Sequence, residues 1–148
     1  MSSEQHLPFA ITVEVRDSCL CLHLQRAARA VARRFDAALR PLSLTNGQFS
    51  LLMSLNREEP ASIGSVSALL AMDRTTLTAN LKPLERRGLV KVSIDDGDRR
   101  SRRLKLTPAG RALLVSAVPI WNQTHAIVDN LLPRANSEEL RVDLRALS

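Results

Sequence analysis

Aromatic side chains are scarce in this chain: 3% of its residues, with no tyrosine and one tryptophan. A protein that stacks single-stranded bases needs a platform of rings, so the composition argues against that class. Two cysteines do not make a disulfide framework. No apolar run approaches the roughly 18 residues that cross a bilayer. The N-terminal stretch MSSEQHLPFAITVEVRDS lacks the basic segment and apolar core of a secretory signal. These absences predict a cytoplasmic chain with no membrane partner. No glycine-rich phosphate loop, nucleophile elbow or carboxylate–histidine constellation occurs, so neither an enzyme nor a cofactor is expected.

What is present is an ordinary globular balance, 45% hydrophobic and 24% charged over 148 residues. That length suits a single domain with a real core. The net charge of +6 is unevenly placed. Residues 62–110 carry ten basic and five acidic side chains, whereas residues 1–61 carry seven and six, and residues 111–148 four of each. A centred basic block suggests a polyanion surface, most often nucleic acid. A solvated basic face is the plain alternative.

The apolar spacing predicts a mainly α chain with a small β-hairpin. Residues 1–10 read as a loose arm. One helix runs from about Val15 to Leu39, with Leu20, Leu24, Ala27, Ala28, Val31 and Phe35 on its stripe, and Pro41 ends it. Thr45-Asn46-Gly47-Gln48 is a capping box for a second helix reaching about Asn56. Ser62 caps a short third helix that buries Ile63, Val66, Leu69 and Leu70. Asp73 caps a fourth, which buries Leu77, Leu81 and Leu84, contains Pro83 and stops at Gly88. Pro83 should bend this helix. The period then changes to two around Val90–Ile94 and Arg103–Leu106, with a turn-rich tip between. Thr107-Pro108 opens a helix to about Leu132, kinked at Pro119. Ser137 caps a last short helix.

Two short helices joined by Leu70-Ala71-Met72 and followed by a charged hairpin make a winged helix-turn-helix. Its second helix must enter a major groove about 12 Å wide. The face expected to meet DNA offers Arg74, Thr75, Thr76, Thr78, Asn80 and Lys82. Arginine and asparagine can bond guanine and adenine edges bidentately, and threonine can reach phosphates or a thymine methyl. The hairpin tip offers Arg99, Arg100, Arg102 and Arg103, suited to the narrow minor groove.

The order and spacing of several motifs resemble the MarR family of bacterial transcription regulators. They are Leu44-Thr45-x-x-Gln48-Phe49, Asp73-Arg74-Thr75-Thr76-Leu77-Thr78, Leu84-Glu85-Arg86-Arg87-Gly88-Leu89-Val90, Asp98-Arg99-Arg100-Ser101 and Leu106-Thr107-x-x-Gly110. The resemblance covers roughly residues 15–132. It implies a homodimer with interlocking terminal helices, a palindromic operator on double-stranded DNA, and release by a small ligand or an oxidant. It also implies that Arg100 enters the minor groove and that Asp98 braces it; Asp98 also reads as a simple turn residue. Residues 15–41 and 108–148 then supply dimerisation helices, and residues 45–106 the DNA-binding core. The excess apolar length of the terminal helices points to a partner independently.

Cys19 and Cys21 sit near the start of the first long helix. In a regular helix they lie on different faces, which argues against a bond between them. In the organic-peroxide-sensing branch of the family a reactive cysteine is similarly placed, so Cys21 resembles a redox sensor; Cys19 reads either as a resolving thiol for Cys21 of the other subunit or as only a surface or interface residue. Those sensors hold their cysteine with tyrosines, which this chain lacks. The other reading makes Cys21 a small core residue. Cys19 and His23 share a face, but no tight metal-ligand motif exists and no metal is expected. The resemblance also implies that aromatic acids and related anions bind between the dimer helices and the winged domain; there Phe49, Met53 and Trp121 would form apolar walls, and His23, Arg26 and His125 would meet a carboxylate. Each also reads as ordinary core or surface. The functional expectation is a sequence-specific regulator, a repressor. The alternative is an architectural DNA binder with no inducer.

Overall fold

The computed structural model describes residues 6–134 and 136–148. Helix α1 spans Phe9–Ser18 and α2 spans Leu20–Leu39, followed by a 3-10 turn over Arg40–Leu42. Helices α3 (Asn46–Ser54), α4 (Ile63–Leu70) and α5 (Arg74–Arg86) come next, with strand β1 (Ala61–Ser62) ahead of α4. Strands β2 (Val90–Ile94) and β3 (Arg102–Leu106) lead into α6 (Pro108–Asp129) and α7 (Ser137–Ala146).

The first long helix departs from its expected form. Residues 1–5 of the expected arm lie outside the described residues, and α1 is already helical at Phe9. The chain then breaks at Cys19, whose ψ of 110° leaves the helical region. Cys19 is instead the N-cap of α2, its Sγ accepting from the Leu22 amide at 3.5 Å. Sequence periodicity missed the break because apolar residues continue on both sides of it. The expectation of two regular-helix positions for Cys19 and Cys21 therefore loses its premise.

The caps explain most other boundaries. Thr45 and Gln48 form the reciprocal capping box, each bond 3.1 Å. Ser62 accepts from the Ser65 amide at 3.1 Å. At the end of α5, Gly88 takes φ of +72°. Its amide reaches the Glu85 carbonyl and the Leu89 amide reaches the Leu84 carbonyl, which satisfies the last turn. Both α5 and α6 continue through their internal prolines. Helix α7 is capped by Asn136 rather than Ser137, because the Asn136 carboxamide reaches the Glu139 amide at 2.8 Å.

The hairpin is part of a three-stranded antiparallel sheet, ordered β1-β3-β2. Ala61 pairs with Leu104, so two residues before α4 are sewn onto the wing. A strand this short carries no alternation for a sequence reading to detect. Thr107 joins the sheet to α6: its amide donates to the Leu89 carbonyl and its hydroxyl to that of Gly88. Gly110 lies against the same turn, where a Cβ would come within 2.2 Å of the Leu89 oxygen.

The core gathers Leu39, Leu51, Leu52, Leu55, Leu77 and Leu84 with Val66 and Leu104. Leu77, Leu81 and Leu84 are buried as expected. Leu69 is not; it is 69% exposed. On α2 only Phe35 and Leu39 are buried, while Leu20, Leu24, Ala27 and Ala28 face outward. Among the described residues, the N-terminal half of the expected stripe is thus left largely uncovered.

Candidate nucleic-acid interface

Helix α5 is built to present a polar face. Asp73 accepts from the Thr76 amide at 2.8 Å and from the Thr76 hydroxyl at 3.0 Å. These bonds, the amide first, hold the Asp73 carboxyl below the usual carboxylate range. Leu77, Leu81 and Leu84 fix the inner face, which turns Thr75, Ala79, Lys82 and Arg86 outward at i, i+4, i+7 and i+11. Arg86 was not expected there. Its signal was its spacing from Thr75 and Lys82, masked by its reading as part of the helix end.

Two expected contact residues sit differently. The Asn80 carboxamide donates to the Thr76 carbonyl at 3.0 Å and contacts the Met72 thioether at 3.8 Å. It is half-buried against α3 rather than on the free face. The Thr76 hydroxyl is committed to the cap. Arg74 and Thr78 flank the outer face on its wing side.

The wing tip is ordered by two aspartates. Asp98 accepts from the Arg100 amide at 3.0 Å and from the Ser101 hydroxyl at 3.4 Å. It therefore shapes the turn through the backbone of Arg100, as the turn reading expects, and among the described residues it makes no ion pair with the Arg100 guanidinium. Asp95, which the sequence did not single out, accepts from the Gly97 amide at 3.0 Å and pairs with Arg103 at 2.9 Å. The Gly97 amide first, and Arg103 after it, hold the Asp95 carboxyl below its usual range. Arg103 is thus tied across the base of the wing. Arg102 donates to the Arg99 carbonyl at 3.2 Å. Arg99 and Arg100 remain exposed at the tip.

These elements converge. An open polar cleft of about 420 Å³ is lined by Ser62 and Gly64 at the start of α4, Arg74 and Thr78 of α5, and Arg100 and Arg102 of the wing. Three guanidinium groups, against the single carboxylate of Asp98 that also lines the cleft, leave an anion-attracting surface beside the start of α4. Ser62, read from the sequence only as a helix cap, and Gly64 were not expected at this surface because β1, which brings them to the wing, was not legible.

The residues expected to bind an effector are separated. Phe49, Met53 and Trp121 line one cleft of about 470 Å³ between α3, α4 and α6. The Phe49 and Trp121 rings lie 6.4 Å apart. His125 does not line it but stacks on Trp121 at 4.7 Å, with Nδ1 3.3 Å from Asp129. His23 bonds the Cys19 carbonyl on the surface of α2. Arg26 belongs to another groove, with Arg29 and Arg33. The expected carboxylate grip is therefore not assembled by this chain: α2 carries His23 and Arg26 away from the cleft.

Cys21 is exposed on the chain, so it is not a core residue here, and its Sγ accepts from the Gln25 carboxamide at 3.2 Å. Cys19 is half-buried, and both thiols are free. Among the described residues, no three histidine, cysteine, aspartate or glutamate side chains gather as a metal site would require. No helix among them is long and apolar enough to cross a membrane.

Comparison with known proteins places this architecture. Residues 44–101, from the start of α3 to the wing tip, match the MarR family. The HTH-type transcriptional regulator TtmR of Methylorubrum extorquens is 37% identical over 97 residues, covering 66% of this chain and 50% of that protein. The chain thus spans about half the length of that relative. The organic hydroperoxide resistance transcriptional regulator of Bacillus subtilis is 31% identical over 101 residues, 68% of this chain and 69% of the relative. The crystal structure of the Mycobacterium tuberculosis transcriptional regulator MosR in complex with DNA superimposes with a TM-score of 0.79 at 38% identity, covering 88% of this chain and 93% of that one. These relatives are transcription regulators, not enzymes. With its winged helix-turn-helix, its capped polar helix and its arginine-tipped wing, this chain belongs to the MarR family.

Proposed function

We propose that this chain is a cytoplasmic, homodimeric repressor that reads a palindromic operator. The observation that carries the reading is the convergence of α5, the start of α4 and the wing on one cationic cleft. In that arrangement Thr75, Lys82 and Arg86 face the major groove. Arg99 and Arg100 enter the flanking minor groove, and Arg74 and Arg102 hold phosphate between them. The apolar side chains of Phe9, Val15, Leu20, Leu131, Val142 and Leu147, exposed on α1, α2, the α6–α7 segment and the chain end, support dimerisation. A two-fold dimer places two such surfaces about one helical turn apart.

Two signals for release remain in play, each with its own support. Cys21 is exposed and hydrogen-bonded, as a sensing thiol must be reachable. The Phe49–Trp121 cleft has the size of a small-molecule site. The test is fluorescence anisotropy on DNA from the gene's own upstream region, first with dithiothreitol and then with an organic hydroperoxide. Tight binding, lost on oxidation and restored by reductant, assigns the signal to Cys21. Tight binding indifferent to oxidant removes Cys21 as the sensor, and a screen of aromatic acids against the cleft follows. Equal affinity for that DNA and for random duplex overturns the operator-reading repressor in favour of an architectural binder.

A further inference from the structure

The free face of α5 is narrower in its chemistry than its sequence suggests, because several of its polar side chains are committed or turned aside. The Thr76 hydroxyl donates to the Asp73 carboxylate at 3.0 Å. The Asn80 carboxamide donates to the Thr76 carbonyl at 3.0 Å and lies beside Met72 and Gly47. Arg74 and Thr78 line the cleft that they share with Arg100 and Arg102. At the centre of the outward face this leaves Thr75 and Ala79, both exposed, with Lys82 and Arg86 following toward the C-terminal end. The two cations can pair with phosphate beside any sequence. Thr75 and Ala79 are short, and each presents a methyl group.

We infer that this face selects thymine, through contact of the Thr75 and Ala79 methyl groups with the 5-methyl of the base. The inference rests on reading α5 as the helix that enters the major groove, and it names what that helix reads there. Among the four bases, thymine alone carries a methyl group into the major groove; the other three offer hydrogen-bonding edges. Asn80, whose carboxamide could have bonded adenine bidentately, is withdrawn from that task. A protein methyl laid against a thymine methyl removes apolar surface of both from water. Four residues advance a helix by about 6 Å. That is close to two base steps of about 3.4 Å each, so both contacts fit within one half-site. The partner proposed above sits on the terminal helices, so each half-site meets one α5 and the second protomer adds nothing to this face.

The experiment selects duplexes from a random library with the full chain. Anisotropy is then measured on the enriched site with deoxyuridine in place of thymidine, one position at a time. That exchange removes the 5-methyl and keeps the base pair. Thymine is expected in each half-site, and uracil at a contacted position should raise the dissociation constant about fourfold, the size of one buried methyl group. Thr75→Ser removes a methyl and keeps the hydroxyl, and it should abolish the response at one position. Ala79→Gly should abolish it at another. Each response is a ratio between two duplexes on one protein, so a less stable variant does not imitate its loss. An enriched site indifferent to uracil throughout overturns the inference and leaves operator reading intact. An undiminished response in both variants does the same. Selection that enriches nothing over random duplex overturns operator reading and the inference together.

Discussion

The winged core and the terminal helices use the same kinds of side chain to opposite ends. Between Leu44 and Leu106, most leucines and valines at helical and strand spacing are closed off from water, Leu69 excepted. Helices α1 and α7 bury no residue at all, and α2 buries two. Yet Phe9, Val15, Leu20, Val142 and Leu147 are as apolar as anything in the core. The difference lies in what each element meets. The core helices and the sheet enclose one another within a single chain, whereas the terminal helices have apolar faces that this chain leaves uncovered. An amphipathic pattern specifies that a face must be covered; it does not specify by which chain.

Substitutions in the two regions should therefore behave differently. The largest effect belongs to the core. Leu84→Ala removes a fully buried side chain and should cost about 2–5 kcal/mol of stability, read as a lower urea midpoint. Val142→Asp in α7 should leave the folding of the winged core nearly unchanged. It should instead raise the dimer dissociation constant at least about tenfold, on the scale of about 1.4 kcal/mol per decade, in sedimentation equilibrium. A Val142→Asp chain that unfolds as readily as Leu84→Ala would show that α7 belongs to the core after all.

Within the core, the wing divides into exposed and committed arginines. Arg100→Ala should weaken operator binding by about 1–3 kcal/mol in anisotropy and leave the melting temperature unchanged. A lowered melting temperature would mean that Arg100 holds the wing together. A smaller effect is expected at the turn of the helix-turn-helix. Ala71 sits at φ of +49°, where a Cβ is strained. Ala71→Gly should raise stability by about 0.5–1 kcal/mol, and a loss would show that the strain is relieved by packing.

The smallest effect is on pH dependence. Asp73 and Asp95 have carboxyl groups held below their unfolded values by amide bonds and, for Asp95, by Arg103. A depressed carboxyl adds stability above its unfolded pKa of about 4. That stability is lost as pH falls from there through the folded value. Urea midpoints should therefore decline below about pH 4, and Asp95→Asn should flatten part of that decline. An unaltered acid limb would show that the Asp95–Arg103 pair is not coupled to folding.

Local chemistry was legible wherever it is decided by neighbours in sequence. The capping box at Thr45, the Asp73 and Thr107 caps and the left-handed Gly88 each follow from residue type and spacing within one turn. Helix α5 and the arginine tip were legible for the same reason. Contacts between distant segments were not. The break at Cys19 lies inside an unbroken apolar pattern, and β1 is too short to show one. The Asp95–Arg103 pair depends on strand register. Asn80 was misjudged because its side chain turns toward Met72 of the preceding turn and toward α3 rather than outward.

The sequence by itself determined the elements, their caps, the basic centre and the family to which the chain belongs. Each of these rests on period, charge or short motifs, which a linear string contains in full. Only the tertiary structure decided which polar groups share a surface. It joined Ser62 to the wing through β1, and it put Phe49 beside Trp121 while carrying His23 and Arg26 away from them. The physical reason is that helix packing and strand register set the direction of every side chain, and those are fixed by contacts far apart in the chain.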